Sequence, residues 1–224
     1  MASLDTSSKI TCVLFDLDGT LLDTAPDMTN ALNLLLAEED KAPLTNEACR
    51  DFVSHGSVAM INLGFGKQQN SEEFEARRLR FLDLYENNLC LDTKLFEGMD
   101  IVLSYLEENY IKWGIVTNKP AFLTTPLLQQ LGLYERASSI VSGDSLPNRK
   151  PHPEPMYFAA NECQKLATEC LYVGDAERDI EAGKRANMKT LIASYGYIDA
   201  TQTPIQWGAD GIIEHPDEIL TWLS

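Results

Sequence analysis

The sequence predicts an α/β fold: a doubly wound parallel sheet with an all-helical cap inserted near its start. Two observations lead there. Short continuous apolar runs alternate with amphipathic stretches along most of the chain, as expected of parallel strands covered on both faces by helices. One long region breaks the alternation. Residues 24–91 hold no run that reads as a strand, and their apolar residues recur at helical spacing. The expected division is a Rossmann-like core of residues 1–23 and 92–224, with the cap at 24–91.

Residues 10–15 read as the first buried strand. In the cap that follows, Met28, Ala31, Leu32, Leu35 and Leu36 share one helical face, and Phe81, Leu82, Tyr85 and Leu89 repeat the pattern. Thr24 and Asp27 have the spacing of a capping box opening the first of these helices. Beyond the cap, strands are expected at 113–116, 139–141, 170–173 and 190–193. Helices are expected at 99–108, 121–131, 155–163 and 178–186. Residues 211–213 add a final strand, and 217–223 a closing helix.

Bulk properties exclude several partners. Hydrophobic residues make up 44% of the 224, enough for a packed core. The formal net charge of −16 repels nucleic acid and anionic membrane surfaces alike, so neither is an expected partner. A phosphate-bearing ligand would need cations supplied locally. No apolar run approaches the ~20 residues of a membrane span, and residues 1–8 lack a signal-peptide pattern. The five cysteines form no C-x-x-C pair and are odd in number. They read as reduced thiols, hence a cytoplasmic location.

The chemistry gathers where strands end. Asp16-Leu17-Asp18-Gly19-Thr20 follows the first strand directly. Side chains at i and i+2 share a face, so two carboxylates can point to one place, and Gly19 permits a sharp exit. Thr117-Asn118 ends the second core strand with a hydroxyl suited to phosphate oxygens. Lys150, in Arg149-Lys150-Pro151-His152-Pro153, follows the third, where the prolines stiffen the backbone. Gly174-Asp175 ends the fourth, and Asp179 follows four residues later. Each alone is a common turn or a solvated lysine. Together they lie at the carboxyl ends of parallel strands, where open α/β sheets bind ligands. Hard oxygen ligands beside a lysine and a hydroxyl describe a Mg²⁺ site next to a phosphate site.

With these motifs in order, the sequence resembles the haloacid dehalogenase superfamily, in its phosphoglycolate-phosphatase-like branch. The opening Phe15-Asp16-Leu17-Asp18-Gly19-Thr20-Leu21 carries most of the resemblance, which extends over nearly the whole chain. It implies a Mg²⁺-dependent phosphatase acting through an aspartyl phosphate on a small phosphorylated metabolite. Asp16 would be nucleophile and metal ligand. Asp18 would be general acid and base, with its main-chain carbonyl on the metal. Thr117 and Lys150 would hold the phosphoryl group, with Asn118 beside them, and Asp175 and Asp179 would complete the metal site. A dehalogenase is disfavoured because a halide leaves unprotonated and needs no acid at position 18. A sugar phosphomutase keeps the same motifs. A receiver-like phospho-acceptor domain is the non-enzymatic rival, against which the cap and the Asp16/Asp18 spacing argue. Monomer and homodimer both remain open.

Substrate signals are weaker. Leu95-Phe96-Glu97-Gly98, Tyr195-Gly196-Tyr197-Ile198 and Trp207-Gly208-Ala209-Asp210 resemble the N-acetylmuramic acid 6-phosphate phosphatases, although loop packing is the simpler reading of these aromatics. That substrate and phosphoglycolate both carry a carboxylate, so a cation from the cap is expected to face the site. Arg77 and Arg78 read as a solvated helix face, and Lys41 as part of a polar turn. Arg50 and His55, just before Gly56, are the candidates, on a loop between cap helices that reaches over the core. The alternative for Arg50 is a surface pair with Glu47 or Asp51.

Overall fold

The computed structural model describes residues 9–67 and 71–223; the polar stretch 1–8 lies outside them. In chain order the elements are β1 (Cys12–Phe15), β2 (Leu22–Asp23), α1 (Ala25–Glu38), α2 (Asn46–Arg50), α3 (Gly56–Phe65), α4 (Glu72–Asn87), β3 (Lys94–Leu95) and α5 (Met99–Glu108). There follow β4 (Lys112–Val116), α6 (Ala121–Gln130), β5 (Ser139–Val141), α7 (Glu154–Glu162), β6 (Cys170–Gly174), α8 (Glu177–Arg185), β7 (Lys189–Ala193) and β8 (Gly211–Ile213).

Six strands form one parallel sheet in the order β5-β4-β1-β6-β7-β8. The chain winds outward in both directions from β1, and the alternation of side chains along that strand shows why both faces are covered. Val13 and Phe15 pack with Met99, Val102 and Leu103 of α5 and Leu127 of α6. Cys12 and Leu14 point the other way, into Met156 and Ala159 of α7 and Ala182 of α8. With both faces buried, the strand is apolar throughout, which makes it legible as a continuous run.

The helices α1 to α4 gather around a third apolar cluster, built from Met28, Leu32, Leu35 and Leu36 of α1, Met60 and Ile61 of α3, and Phe74, Phe81 and Tyr85 of α4. The chain leaves the core along β2 and returns along β3, and these two short strands pair antiparallel, Leu22 with Leu95 and Asp23 with Lys94. Two residues are too few for a periodic signal, so this ribbon has no trace in the sequence pattern.

Two local expectations are corrected. Thr24 and Asp27 form no capping box. Thr24 has no side-chain cap bond, and its hydroxyl donates to Asp18 Oδ1 at 2.7 Å. The Asp27 carboxylate accepts from the main-chain N–H groups of Leu91, Asp92 and Thr93 and from the Thr93 hydroxyl. The segment after α4 returns past the start of α1, and the buried acid satisfies its amides. The start of α1 is held instead by Tyr197, whose hydroxyl accepts from Thr24 N at 2.7 Å and Ala25 N at 2.9 Å. The closing helix is a 3₁₀ helix, Pro216–Trp222. Among the described residues, no helix is long and apolar enough to cross a membrane.

Candidate active site

β4, β1 and β6 are adjacent, so the residues that follow them meet at one end of the sheet. Asp16 N–H donates to Val173 O at 2.9 Å, continuing the sheet pairing one residue past β1. Its carboxylate turns inward and is almost wholly buried. Oδ1 accepts from Leu17 N at 2.7 Å and lies 2.8 Å from Lys150 Nζ. Gly19 then turns the chain at φ +84°, and a Cβ there would stand 2.1 Å from Asp175 Oδ2. Both facts demand glycine.

Lys150 enters from the loop after β5. Its buried ammonium sits between Asp16 and Asp179 Oδ1, the latter at 2.7 Å, and donates to Tyr172 OH at 2.8 Å. The Tyr172 hydroxyl donates in turn to Val116 O at 2.8 Å, which fixes the lysine head. Asn118 Nδ2 donates to Lys150 O at 3.0 Å, tying the Lys150 loop to the end of β4. Thr117 Oγ1 accepts from Lys119 N at 3.1 Å, so its own proton is left to donate to a ligand.

Asp16, Asp175 and Asp179 each offer a carboxylate oxygen, all within 4.8 Å of one another and all buried. Burial, reinforced by Asp16 and Asp179, pushes Asp175 up to about 7, against hydrogen bonds from the Ser54 hydroxyl at 2.7 Å and Tyr197 N at 2.9 Å. Burial and Asp16 likewise raise Asp179, opposed by Lys150 and Arg178. For Asp16 burial acts upward too, but Lys150 and Arg178 outweigh it and hold the carboxyl below its ordinary value. Three buried carboxylates against the Lys150 ammonium and the Arg178 guanidinium leave negative charge uncompensated. Hard oxygen donors at this spacing fit a divalent cation such as Mg²⁺. The Asp18 carboxylate stands apart from them, on Lys119 and Thr24, at 2.9 and 2.7 Å. A ligand role for Asp18 would fall to its main-chain carbonyl.

A cavity of about 620 Å³ opens over this floor, lined from the core by Asp16, Asp18, Thr117, Asn118 and Lys150 and from the helices above by Ser54, His55, Phe81 and Tyr85. The turn before Gly56 does reach down, as the sequence suggested, through Ser54 and His55. Burial, with Arg178 adding to it, lowers the His55 pKa and so disfavours the charge expected of it. Arg50 is not part of the lining. Its Nη1 pairs with Asp23 Oδ1 at 3.0 Å, and its guanidinium lies over the Tyr197 ring, 4.8 Å from the centroid. The partner is neither Glu47 nor Asp51. Arg50 ends α2 beside the β2–β3 ribbon, where Asp23 presents a carboxylate.

Residue-by-residue reading missed Lys119, Ser54, Arg178 and the structural use of Tyr197. Lys119 was accessible in principle, since Thr117-Asn118-Lys119-Pro120 is a strand-end loop with a lysine much like Arg149-Lys150-Pro151. Ser54 carries no local signal, because its partner Asp175 lies 121 positions away.

The haloacid dehalogenase-like hydrolase family model matches residues 13–193, from β1 to the end of β7. The chain is 40% identical over 211 residues to an N-acetylmuramic acid 6-phosphate phosphatase of Pseudomonas putida, covering 94% of this chain and 95% of that protein. It is 42% identical over 207 residues to a phosphoglycolate phosphatase of Xanthomonas campestris, covering 92% and 93%. Among solved structures, that of a predicted phosphoglycolate phosphatase from Haemophilus somnus superposes with a TM-score of 0.84 at 26% identity, over 96% of this chain and 98% of that one. With its family model, its relatives and its six-stranded fold in agreement, the chain belongs to the haloacid dehalogenase-like hydrolases, alongside the phosphatases of that family.

Proposed function

We propose that this protein is a Mg²⁺-dependent phosphomonoesterase acting on a small carboxylate-bearing phosphometabolite, of the phosphoglycolate phosphatase type. One observation carries the reading. Asp16 and Asp18 leave β1 two residues apart, yet Asp16 faces Lys150 inside the acidic cluster while Asp18 faces Lys119 at the edge of the cavity. Such a division suits a nucleophile and a proton shuttle serving the same phosphorus.

The steps follow from these positions. Asp16 attacks the phosphorus in line, forming an acyl phosphate as the bond to the ester oxygen breaks. Asp18 gives the departing alkoxide a proton. Water then enters, Asp18 takes its proton, and hydrolysis returns Asp16 and releases inorganic phosphate. Lys150 and the Thr117 hydroxyl hold the equatorial oxygens, with Asn118 bracing the Lys150 loop. Asp16, Asp175 and Asp179, with the Asp18 carbonyl, would hold Mg²⁺, which when bound supplies positive charge against the repulsion between Asp16 and the phosphoryl group.

We take residues 24–91 as the unit that reads the leaving group, since α3, α4 and the Ser54 turn form the upper wall of the cavity. N-acetylmuramic acid 6-phosphate is the second reading. A cavity of about 620 Å³ has room for an amino-sugar phosphate, and relatives of nearly equal identity carry the two names. A cytoplasmic site of action is supported by the five free thiols.

The test is phosphate release from both esters with Mg²⁺ and with chelator, for the wild type and Asp16→Asn. The wild type should turn over at least one ester only when Mg²⁺ is present. The folded Asn variant should be inactive, because the amide keeps the shape but not the nucleophile. Retention of more than about a few per cent of activity by that variant would remove Asp16 as nucleophile.

A further inference from the structure

Five arginines and lysines line the cavity: Arg78, Lys119, Arg149, Lys150 and Arg178. Lys150 is held by Asp16 and Asp179, Lys119 by Asp18, and Arg78 by Glu75 at 2.6 Å. Arg149 is exposed at the rim. Arg178 differs from all of these. It stands in the first turn of α8, between the acidic cluster and the turn that carries Ser54. One of its donors, Nη2, goes to Ser54 O at 2.7 Å. Its Nε is buried and has no partner. Asp179, Asp16 and Asp175 act on it through space, raising its pKa against the effect of burial, but none makes an ion-pair contact with it among the described residues.

A charged guanidinium in a cavity wall with a buried, unpaired donor is costly unless an anion completes it. In the mechanism above, Lys150 and Thr117 already serve the phosphoryl group over Asp16. Arg178 instead lies on the seam where the core meets the Ser54–His55 turn, in the wall of the same cavity. The planar fork of a guanidinium matches a carboxylate.

We propose that Arg178 is a substrate-binding, specificity-determining residue that receives a carboxylate on the leaving portion of the phosphate ester. The second anion of the substrate is thus read from the core helix α8, and the main chain of the Ser54 turn holds the guanidinium in place. This rests on the phosphatase reading above and deepens it.

The experiment compares two phosphomonoesters, phosphoglycolate and the neutral-tailed p-nitrophenyl phosphate, with Arg178→Met and Arg178→Lys. Because Arg178 also acts through space on Asp16, the readout is the ratio of the two esters: Arg178→Met should lose about ten- to a hundredfold more in kcat/KM on phosphoglycolate than on p-nitrophenyl phosphate, the worth of a charge-assisted hydrogen bond. Arg178→Lys, which keeps the charge but not the fork, should fall between and controls for folding. Binding of phosphoglycolate to Asp16→Asn and to Asp16→Asn/Arg178→Met by calorimetry should show the same weakening without turnover. Equal losses on both esters, or unchanged binding in the double variant, would overturn the assignment and leave Arg178 as a brace for the phosphoryl site or the Ser54 turn. Absence of phosphate release from either ester by the wild type would instead overturn the phosphatase reading, while the binding comparison would still decide the role of Arg178.

Discussion

Lys119 Nζ lies 2.9 Å from Asp18 Oδ1, and the same ammonium donates to Tyr85 OH at 2.9 Å. Lys119 comes from the loop after β4, Asp18 from the exit of β1 and Tyr85 from α4, so one nearly buried cation joins the proposed proton shuttle to the helices above it. Burial pushes the Tyr85 hydroxyl up to about 12 despite Lys119, and it stays a neutral partner. Burial acts against the charge on Lys119, but Asp18 and Tyr85 overcome this and raise its pKa.

Lys119 is therefore expected to act as a positioning residue through Asp18. Lys119→Met leaves Asp18 with only the Thr24 hydroxyl. Its kcat should fall about ten- to a hundredfold on phosphoglycolate, whose alkoxide needs the Asp18 proton, and less on p-nitrophenyl phosphate, whose phenolate leaves without one, with KM little changed on either. Stability should fall by about 3–5 kcal/mol, because a largely buried carboxylate loses its partner. A loss confined to KM in steady-state kinetics would place Lys119 on the substrate instead.

Mg²⁺ should stabilise the protein more at high pH than at low. Asp175 is pushed up to about 7 from an ordinary 3.8 in the metal-free chain. Between those values the folded state holds a proton that the unfolded state has released. Its stabilising contribution is complete below about pH 4 and is lost as pH rises through about 7. A divalent cation takes the place of that proton at the deprotonated site. The Mg²⁺-induced rise in Tm should accordingly be larger at pH 8 than at pH 5.5, and Asp175→Asn should flatten the difference. Identical shifts at the two pH values in the wild type would place Asp175 outside the metal site.

Tyr197→Phe tests the anchor of α1. The hydroxyl accepts from Thr24 N and Ala25 N and donates to Asp23 Oδ1 at 2.8 Å. Removing it strands two amides at a helix start, at a cost of about 1–3 kcal/mol. At this chain length each kcal/mol corresponds to about 2–4 °C in Tm. The main-chain N–H of residue 197 still reaches Asp175, so kcat should be nearly unchanged. An unaltered melting curve would show that water replaces the hydroxyl.

Arg50→Ala should behave differently from Arg178→Met. It removes a partly exposed pair with Asp23 and the stacking over Tyr197, worth about 1 kcal/mol together at such exposure. Parallel kinetics should give similar, small changes on the carboxylate and neutral esters. A loss selective for the carboxylate ester would return Arg50 to the substrate.

The sequence alone determined the strands and the chemistry attached to their ends. β5 and β8 begin and end where their apolar runs do, α5 spans Met99–Glu108 as its periodicity requires, and Asp16, Thr117, Lys150 and Asp175 all converge. These are local facts: a strand buried on both faces is apolar throughout, and a residue just past its carboxyl end is carried to the same rim as its neighbours'. Tertiary structure alone decided which charge meets which. Thr24 and Asp27 have capping-box spacing, yet the fold turns one to Asp18 and the other to the returning chain at residues 91–93. Arg50 was drawn to Asp23 by a two-residue ribbon with no periodic signature. Lys119, Ser54 and Arg178 acquired their partners across separations of 101, 121 and 124 positions. Such pairings depend on how α1 to α4 sit over the sheet and on where each side chain can find a counter-charge out of water. Neither residue spacing nor composition contains that information.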